Sequence, residues 1–370
     1  MIDTTAERKT VKFPHATSKS FSKELRKRVN QYFKEHKLSK KANGRMRWKT
    51  VSVLLLYLLP FAGLFFVGSN LLAIFLLFTA MGIGMSAVGM GLMHDAVHGA
   101  YHEKGWVNRW LGSSIYLICG NYTTWKYQHN ILHHTYTNIE GLDEDLETRG
   151  LIRLHPNQAW KKFHRAQMWY APFLYGLLTL NWVVLKDFAQ LRRYQKTGLA
   201  RFSAKEARQE WLKLVLTKAL YLGIFLVLPM IFVPVAPYWI VLGFVLMHFV
   251  AGFTLSFIFQ LAHVVDHVDT FTPPLSGKMD DAWMEHQLRT TSNFARNNKL
   301  VGWFVGGLNF QVEHHLFPNI CHIHYPALSQ IVEKTAQEFG LPYNHHRSMR
   351  EAVRSHLKSL KHYGQNPALN

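Results

Sequence analysis

Two long stretches of this chain carry no charged side chain, one from Val51 to Met93 and the other from Ala219 to Ala262. Each is long enough for two membrane crossings of about 20 residues. Each is also broken near its middle by turn-forming residues, Gly68-Ser69-Asn70 in the first and Pro234-Val235-Ala236-Pro237 in the second. The pattern predicts two transmembrane hairpins, hence four spans. Buried helices of soluble proteins rarely run so far without a charge, which argues against a soluble core. A third apolar stretch, Trp169 to Leu185, is interrupted by Asn181. If it crossed, the Lys- and Arg-rich segment 186–213 would lie outside, so it is expected in the interface or against the other helices. Residues 20–50 read as an amphipathic helical segment on the membrane face.

The basic residues add an orientation. All 42 Lys and Arg lie outside the two hairpins, and fifteen precede Val51. Both ends of each hairpin are therefore expected on the cytoplasmic side of the cell membrane, together with both chain termini. The expected organisation is a basic N-terminal segment (1–50), hairpin 1 (51–93), a cytoplasmic region with an interfacial helix (94–218), hairpin 2 (219–262) and a second cytoplasmic region (263–370). The fold class is an all-α, multi-pass integral membrane protein with a cytoplasmic helical cap. The net charge of +19 then reads as a positive-inside surface against anionic lipid, and secondarily as a docking surface for an acidic partner. No recognised nucleic-acid motif accompanies the charge, so nucleic-acid binding is not expected. The first fifty residues lack the apolar core and cleavage site of a signal peptide. Two cysteines, Cys119 and Cys321, make no disulfide framework and suit a reducing compartment.

Three histidine clusters supply the chemistry: His94-Asp-Ala-Val-His98, His129-Asn-Ile-Leu-His133-His134 and Gln311-Val-Glu-His314-His315. Side chains three to five residues apart share roughly one helix face. Neutral imidazole is the commonest protein ligand for first-row transition metals. Seven histidines exceed what one zinc site of about four ligands needs, so two metal ions are expected, with iron doing oxygen chemistry the natural candidate. The first hairpin runs directly into His94 and the second into His263, so His94, His98 and His263 should lie at one depth. His102 reads as a surface residue, and His248, in mid-span, as a packed one. His322 and His324 are balanced between a supporting role and none. Asp143, Glu144 and Asp145 could hydrogen-bond ligand imidazoles, though an acidic run is more often a solvated face. Two other classes fit less well. A metal transporter would place its ligands near the bilayer midplane on broken spans. A membrane zinc hydrolase would leave most of these histidines unexplained.

These residues resemble the membrane fatty-acid desaturase family, whose three histidine boxes read H-x(3)-H, H-x(3)-HH and H/Q-x-x-HH. Gln311 at the head of the third box is similar to the front-end desaturases. The segments Trp125–Asn138, Arg289–Ala295 and His315–Pro326 resemble the acyl-lipid delta-6, linoleoyl-type branch, and the likeness runs from about Trp48 to Tyr343. The resemblance implies metal ligands at His94, His98, His129, His133, His134, His263, His314 and His315. Gln311 takes a further position near the metals, as ligand, water holder or support. It implies two iron ions, O2 as co-substrate and a fatty acyl lipid or acyl-CoA substrate. It also implies a cis double bond at a front-end, delta-6-like position. An acyl-chain hydroxylase on the same scaffold is the alternative, because oxygen rebound competes with loss of the second hydrogen. The His-Pro-Gly-Gly haem motif fused to many front-end members does not occur in this sequence. Electrons are therefore expected from a separate acidic donor, ferredoxin or cytochrome b5. Trp125 could contact substrate or anchor the interface.

Overall fold

The computed structural model describes residues 10–15 and 20–365. The fold is mostly helical. Helix α1 (Phe21–Glu35) stacks Phe21, Leu25, Val29 and Phe33 at four-residue intervals. Those side chains do not face lipid. They share a core with Leu288, Phe310, Val312, Leu316 and Leu328, on the segments around the third histidine box. The expectation of an amphipathic segment lying on the membrane is thus corrected for α1. Its apolar stripe has a protein partner of matching shape and is buried there.

Helix α2 (Gly44–Gly63) starts on the side chain of Asn43, which accepts from the Met46 amide. Arg45, Arg47 and Lys49 occupy its first turns, so only Thr50–Gly63 is free of charge. At 1.5 Å per residue that is about 21 Å, short of a hydrocarbon core of about 30 Å. Three other helices are long and apolar enough to cross a membrane: α3 (Leu71–Val97), α4 (Ala204–Phe232) and α5 (Pro237–His263). The bent pair Lys162–Tyr175 and Leu178–Lys196, kinked by 65°, would make a fourth if it counts as one span. This pair contains the ambiguous stretch Trp169–Leu185. It lies against α5, where Thr179 donates to the carbonyl of His248.

Helix α4 begins fifteen residues before the charge-free stretch does, on a capping box of Ser203 and Glu206. The buried Lys218 in it meets Asp187 of the bent pair at 2.6 Å and donates to the carbonyls of Trp182 and Cys119. A buried ammonium held by a carboxylate and two carbonyls lets the helix run on through a residue that would otherwise end a span. The turn between α4 and α5 falls at residues 233–236, as the Pro234–Pro237 signal predicts.

Helix α3 packs between α2 and α5 through glycines. A Cβ on Gly82 would lie 2.5 Å from the Met247 carbonyl of α5, and one on Gly84 would lie 2.6 Å from the backbone of Leu56 and Tyr57 in α2. Residues two apart on a helix point to nearly opposite sides, so two glycines bring two backbones close to α3. The remaining helices that matter here are α6 (Trp283–Thr290), α7 (Gln311–Leu316), α8 (Tyr325–Glu338) and α9 (Met349–Gly364). One departure from an all-α chain is a two-stranded parallel ladder, Ser292–Phe294 with Asn344–His346. Three-residue strands are too short for a period-two pattern to register.

Candidate metal centre

Local geometry sets the direction of each histidine. A π-helical turn, Val88–Met93, precedes His94 at the end of α3, and a second, Lys126–His133, carries most of the second box. In an α-helix, positions i and i+5 diverge by about 140°. The i→i+5 bonding of a π-helix brings them back toward one face. His129 and His134 accordingly meet, with their Nε2 atoms 3.3 Å apart. On α7 the adjacent His314 and His315 diverge by about 100°, so they cannot serve one ion equally well.

The eight histidines converge in one buried region, but as two groups. The ligand atoms of His94, His98, His129 and His314 all lie within 4.8 Å of one another, and so do those of His133, His263 and His315. His134 stands between the groups, its ring 4.6 Å from His314 and 4.4 Å from His315. The adjacent pair of the third box divides, His314 to one group and His315 to the other. The three boxes and the end of α5 thus meet in one region.

The outer nitrogen of several rings is held in place. His133 Nδ1 lies 3.1 Å from both carboxylate oxygens of Asp143, and His315 Nδ1 lies 2.8 Å from Gln287 Oε1. His314 Nδ1 is 3.3 Å from the Tyr325 hydroxyl and His263 Nδ1 is 3.3 Å from the Thr290 carbonyl. In each of these four rings Nε2 is buried without a partner, as is Nε2 of His98. Orphaned ring nitrogens on that scale are unfavourable unless something binds them. His94 and His129 bring their Nε2 atoms to 3.1 Å. Two nitrogens bound to one metal at about 2.1 Å each, near 90–110°, stand roughly 3.0–3.4 Å apart. The donor set therefore fits first-row metal ions held by nitrogen.

Electrostatics agree. Burial, reinforced by neighbouring imidazoles, holds His129, His134, His314 and His315 well below the usual imidazole range. Their lone pairs are therefore free of protons near neutrality. His133 differs: burial pulls the same way, but the carboxylates of Asp143 and Asp145 outweigh it and raise that ring to about 9, so without a metal it holds a proton near neutrality that a bound ion would have to displace. The carboxylate partner orients the ring and makes Nε2 more basic.

The other sequence candidates sort as follows. His102 lies outside the cluster, its Nδ1 accepting from the Lys104 amide. His248 is buried between Tyr221 and Thr179, at 3.0 Å from each. His322 bridges Asp95 and Lys49 (2.7 and 2.9 Å), next to the first box but not in the cluster, and His324 reaches the Lys41 carbonyl and packs edge-on against the Phe33 ring. The acidic run is engaged rather than solvated: Asp143 holds His133, Glu144 takes Tyr194 and Arg193, and Asp145 accepts from Gln128. Trp125 is buried against the cluster, 4.5 Å from the His129 ring, which removes the interfacial-anchor reading. Gln311 is buried one turn before His314 and His315, its amide nitrogen without a partner. Gln287, Thr290 and Tyr325 were not singled out by the sequence. A glutamine or a carbonyl that accepts from a ring nitrogen leaves no signature of its own, although Thr290 and Tyr325 fall within the Arg289–Ala295 and His315–Pro326 segments that carry the resemblance.

Comparison with known proteins gives consistent matches. The profile of the fatty acid desaturase family covers residues 69–347. An sn-1 linoleoyl-lipid 6-desaturase of Arthrospira platensis is 34% identical over 97% of this chain and 96% of its own length. The protein of the same name from Synechocystis sp. is 35% identical over 98% of this chain and 99% of its own. An acyl-lipid (8-3)-desaturase of Physcomitrium patens is 32% identical over 96% of this chain and 74% of its own.

Proposed function

Because the chain belongs to the fatty acid desaturase family, we propose that it places a cis double bond in a fatty acyl chain at a front-end, delta-6-like position. The acyl chain is carried on a lipid, in keeping with the acyl-lipid substrates in the relatives' names. The observation that carries the reading is the division of the buried histidines into two adjacent groups with orphaned nitrogens facing inward.

Iron, when bound, would supply the activation of O2, the oxidant that an unactivated C–H bond requires. His94, His98, His129 and His314 would hold one ion and His133, His263 and His315 the other, with His134 between them. The rest falls to the protein. Asp143 and Gln287 fix two ligand rings through their outer nitrogens. Trp125 and Phe259 place their rings 4.5 and 5.9 Å from that of His129 and would give the acyl chain an apolar wall beside the metals. Burial of the cluster excludes bulk water. Overall, a CH2–CH2 unit, O2, two electrons and two protons give CH=CH and two waters. The electrons come one at a time from an acidic carrier, ferredoxin or cytochrome b5. The proposed topology has two hairpins in the cell membrane, the first with α2 as a short arm that the bilayer thins to meet, and both termini and the metal centre on the cytoplasmic side, as the basic residues indicate.

The test is expression in a host fed linoleate, with gas chromatography and double-bond localisation, beside a His314→Ala control. A new cis bond between the carboxyl end and the existing bonds, absent from the control, is expected. A hydroxylated chain instead would place the enzyme with the hydroxylases and overturn the proposal.

A further inference from the structure

Two lysines of the basic N-terminal segment turn inward. Lys49, in the first turns of α2, is buried, and its Nζ lies 2.9 Å from His322 Nε2. An ammonium only donates, so Nε2 accepts and the proton of the neutral ring sits on Nδ1. That nitrogen donates to Asp95 Oδ2 at 2.7 Å. The Cys321 thiol and the His322 amide donate to the same oxygen, at 3.1 and 3.3 Å. Asp95 stands between His94 and His98, whereas Cys321 and His322 follow the third box. A buried carboxylate is costly without a countercharge, and Lys49 supplies one through the imidazole.

Lys41 makes a second tie, in the link between α1 and α2. Its Nζ donates to the Gly99 carbonyl, directly after the first box, at 2.9 Å, and to the Asn319 carbonyl, beyond the third box, at 3.2 Å. Main-chain bonds flank it. The Cys321 amide donates to the Lys40 carbonyl at 2.9 Å, and the Ala42 amide to the Tyr101 carbonyl at 3.0 Å. The Thr50 hydroxyl meets that of Tyr101 at 2.9 Å. Residues 40–50 therefore hold the exits of both boxes, although Asp95 and Cys321 are 226 residues apart in the chain. Those two boxes provide His94, His98 and His314, three of the four rings of the first metal group. The second group is held from elsewhere, His133 by Asp143 and His315 by Gln287.

We propose that this link is a clamp setting the first box against the third, with Lys41 and Lys49 as positioning residues for the first metal group and not the second. Neither lysine lies among the inward-facing histidines. Both act through the segments they tie, by fixing where His94 and His98 stand relative to His314. The proposal rests on the two-ion reading above and not on the reaction the ions serve.

The full chain, loaded with Fe2+ in nanodiscs, would be titrated with a chromogenic chelator to give the affinity of each ion, with the melting temperature recorded beside it. Lys49→Met should weaken one ion about tenfold or more and leave the other within about twofold. Lys41→Met removes only a partly exposed ammonium, so it should fold and loosen the same ion about threefold. His322→Gln keeps a donor and an acceptor, and should retain most of the affinity that His322→Leu loses. Lys40→Met, in the same link but with its ammonium on Asn30, should hold both ions as the wild type does. Equal weakening of both ions in Lys41→Met would overturn the proposal, since it would make the link a general structural support. Unchanged affinity for both ions in the Lys41 and Lys49 variants would overturn it too. A single ion in the wild type would sink the two-ion reading, and the clamp's selectivity with it, before any variant is compared.

Discussion

The histidines are legible because their chemistry is rare and their spacing is regular, whereas the residues that aim them are ordinary. Gln287 is the sharpest case. Its Oε1 takes both the His315 ring nitrogen and the Thr137 hydroxyl, at 2.8 and 2.9 Å. Gln287→Leu keeps much of the volume and removes both contacts, leaving His315 Nδ1 to the longer approach of the Thr137 hydroxyl at 3.3 Å. Loss of such an outer partner typically costs about 10–100-fold in metal affinity or activity. The variant should fold, and iron titration of the purified protein should show weakened binding of one ion with the other retained. Equal weakening of both ions would mean that His315 does not belong to a single group. Asp143 was visible as a candidate because acids beside a histidine box are conspicuous. Asp145 also approaches His133, at 3.4 Å, whereas Glu144 turns to Tyr194 and Arg193; that direction is fixed by the turn at residues 138–143 rather than by composition. There Asn138 adopts a positive φ and its amide bonds the Asp143 carboxylate.

Helices were legible where hydropathy alone determines them. The turns at residues 68–70 and 233–236, the return of one span onto His94 and the end of another at His263 all follow from the charge-free stretches. Two features did not. The apolar stripe of α1 has the same pattern whether it meets lipid or protein, and only the core around the third box decides between them. The π-helical turns are also silent in hydropathy, although the i, i+5 placement of His129 and His134 hints at one. The glycine-rich run of α3 carried a signal that spacing alone could have raised: Gly82 and Gly84 face opposite neighbours. Gly82→Val should lower thermal stability in detergent by about 1–3 kcal/mol, because its Cβ meets the Met247 carbonyl. Gly223→Ala in α4, with nothing within 4 Å of its Cβ, should be neutral or slightly stabilising. Equal effects at the two sites would contradict close backbone packing of α3 on α5.

At the scale of the whole molecule, the long apolar helices act as rods that carry chemistry at their ends. Helices α3 and α5 bring His94, His98 and His263 together, and the segments outside the candidate spans close over them with the second and third boxes. The polar start of α4, with Lys218 paired to Asp187, lets the chain pass from the basic surface into the apolar layer without leaving a charge unmatched. The division of the histidines into two groups is the claim on which the rest depends. Its most direct test is the metal content of purified protein, by mass spectrometry with the chain concentration measured independently. Two iron ions per chain is the result this structure predicts, and one ion per chain, or zinc in place of iron, would contradict it.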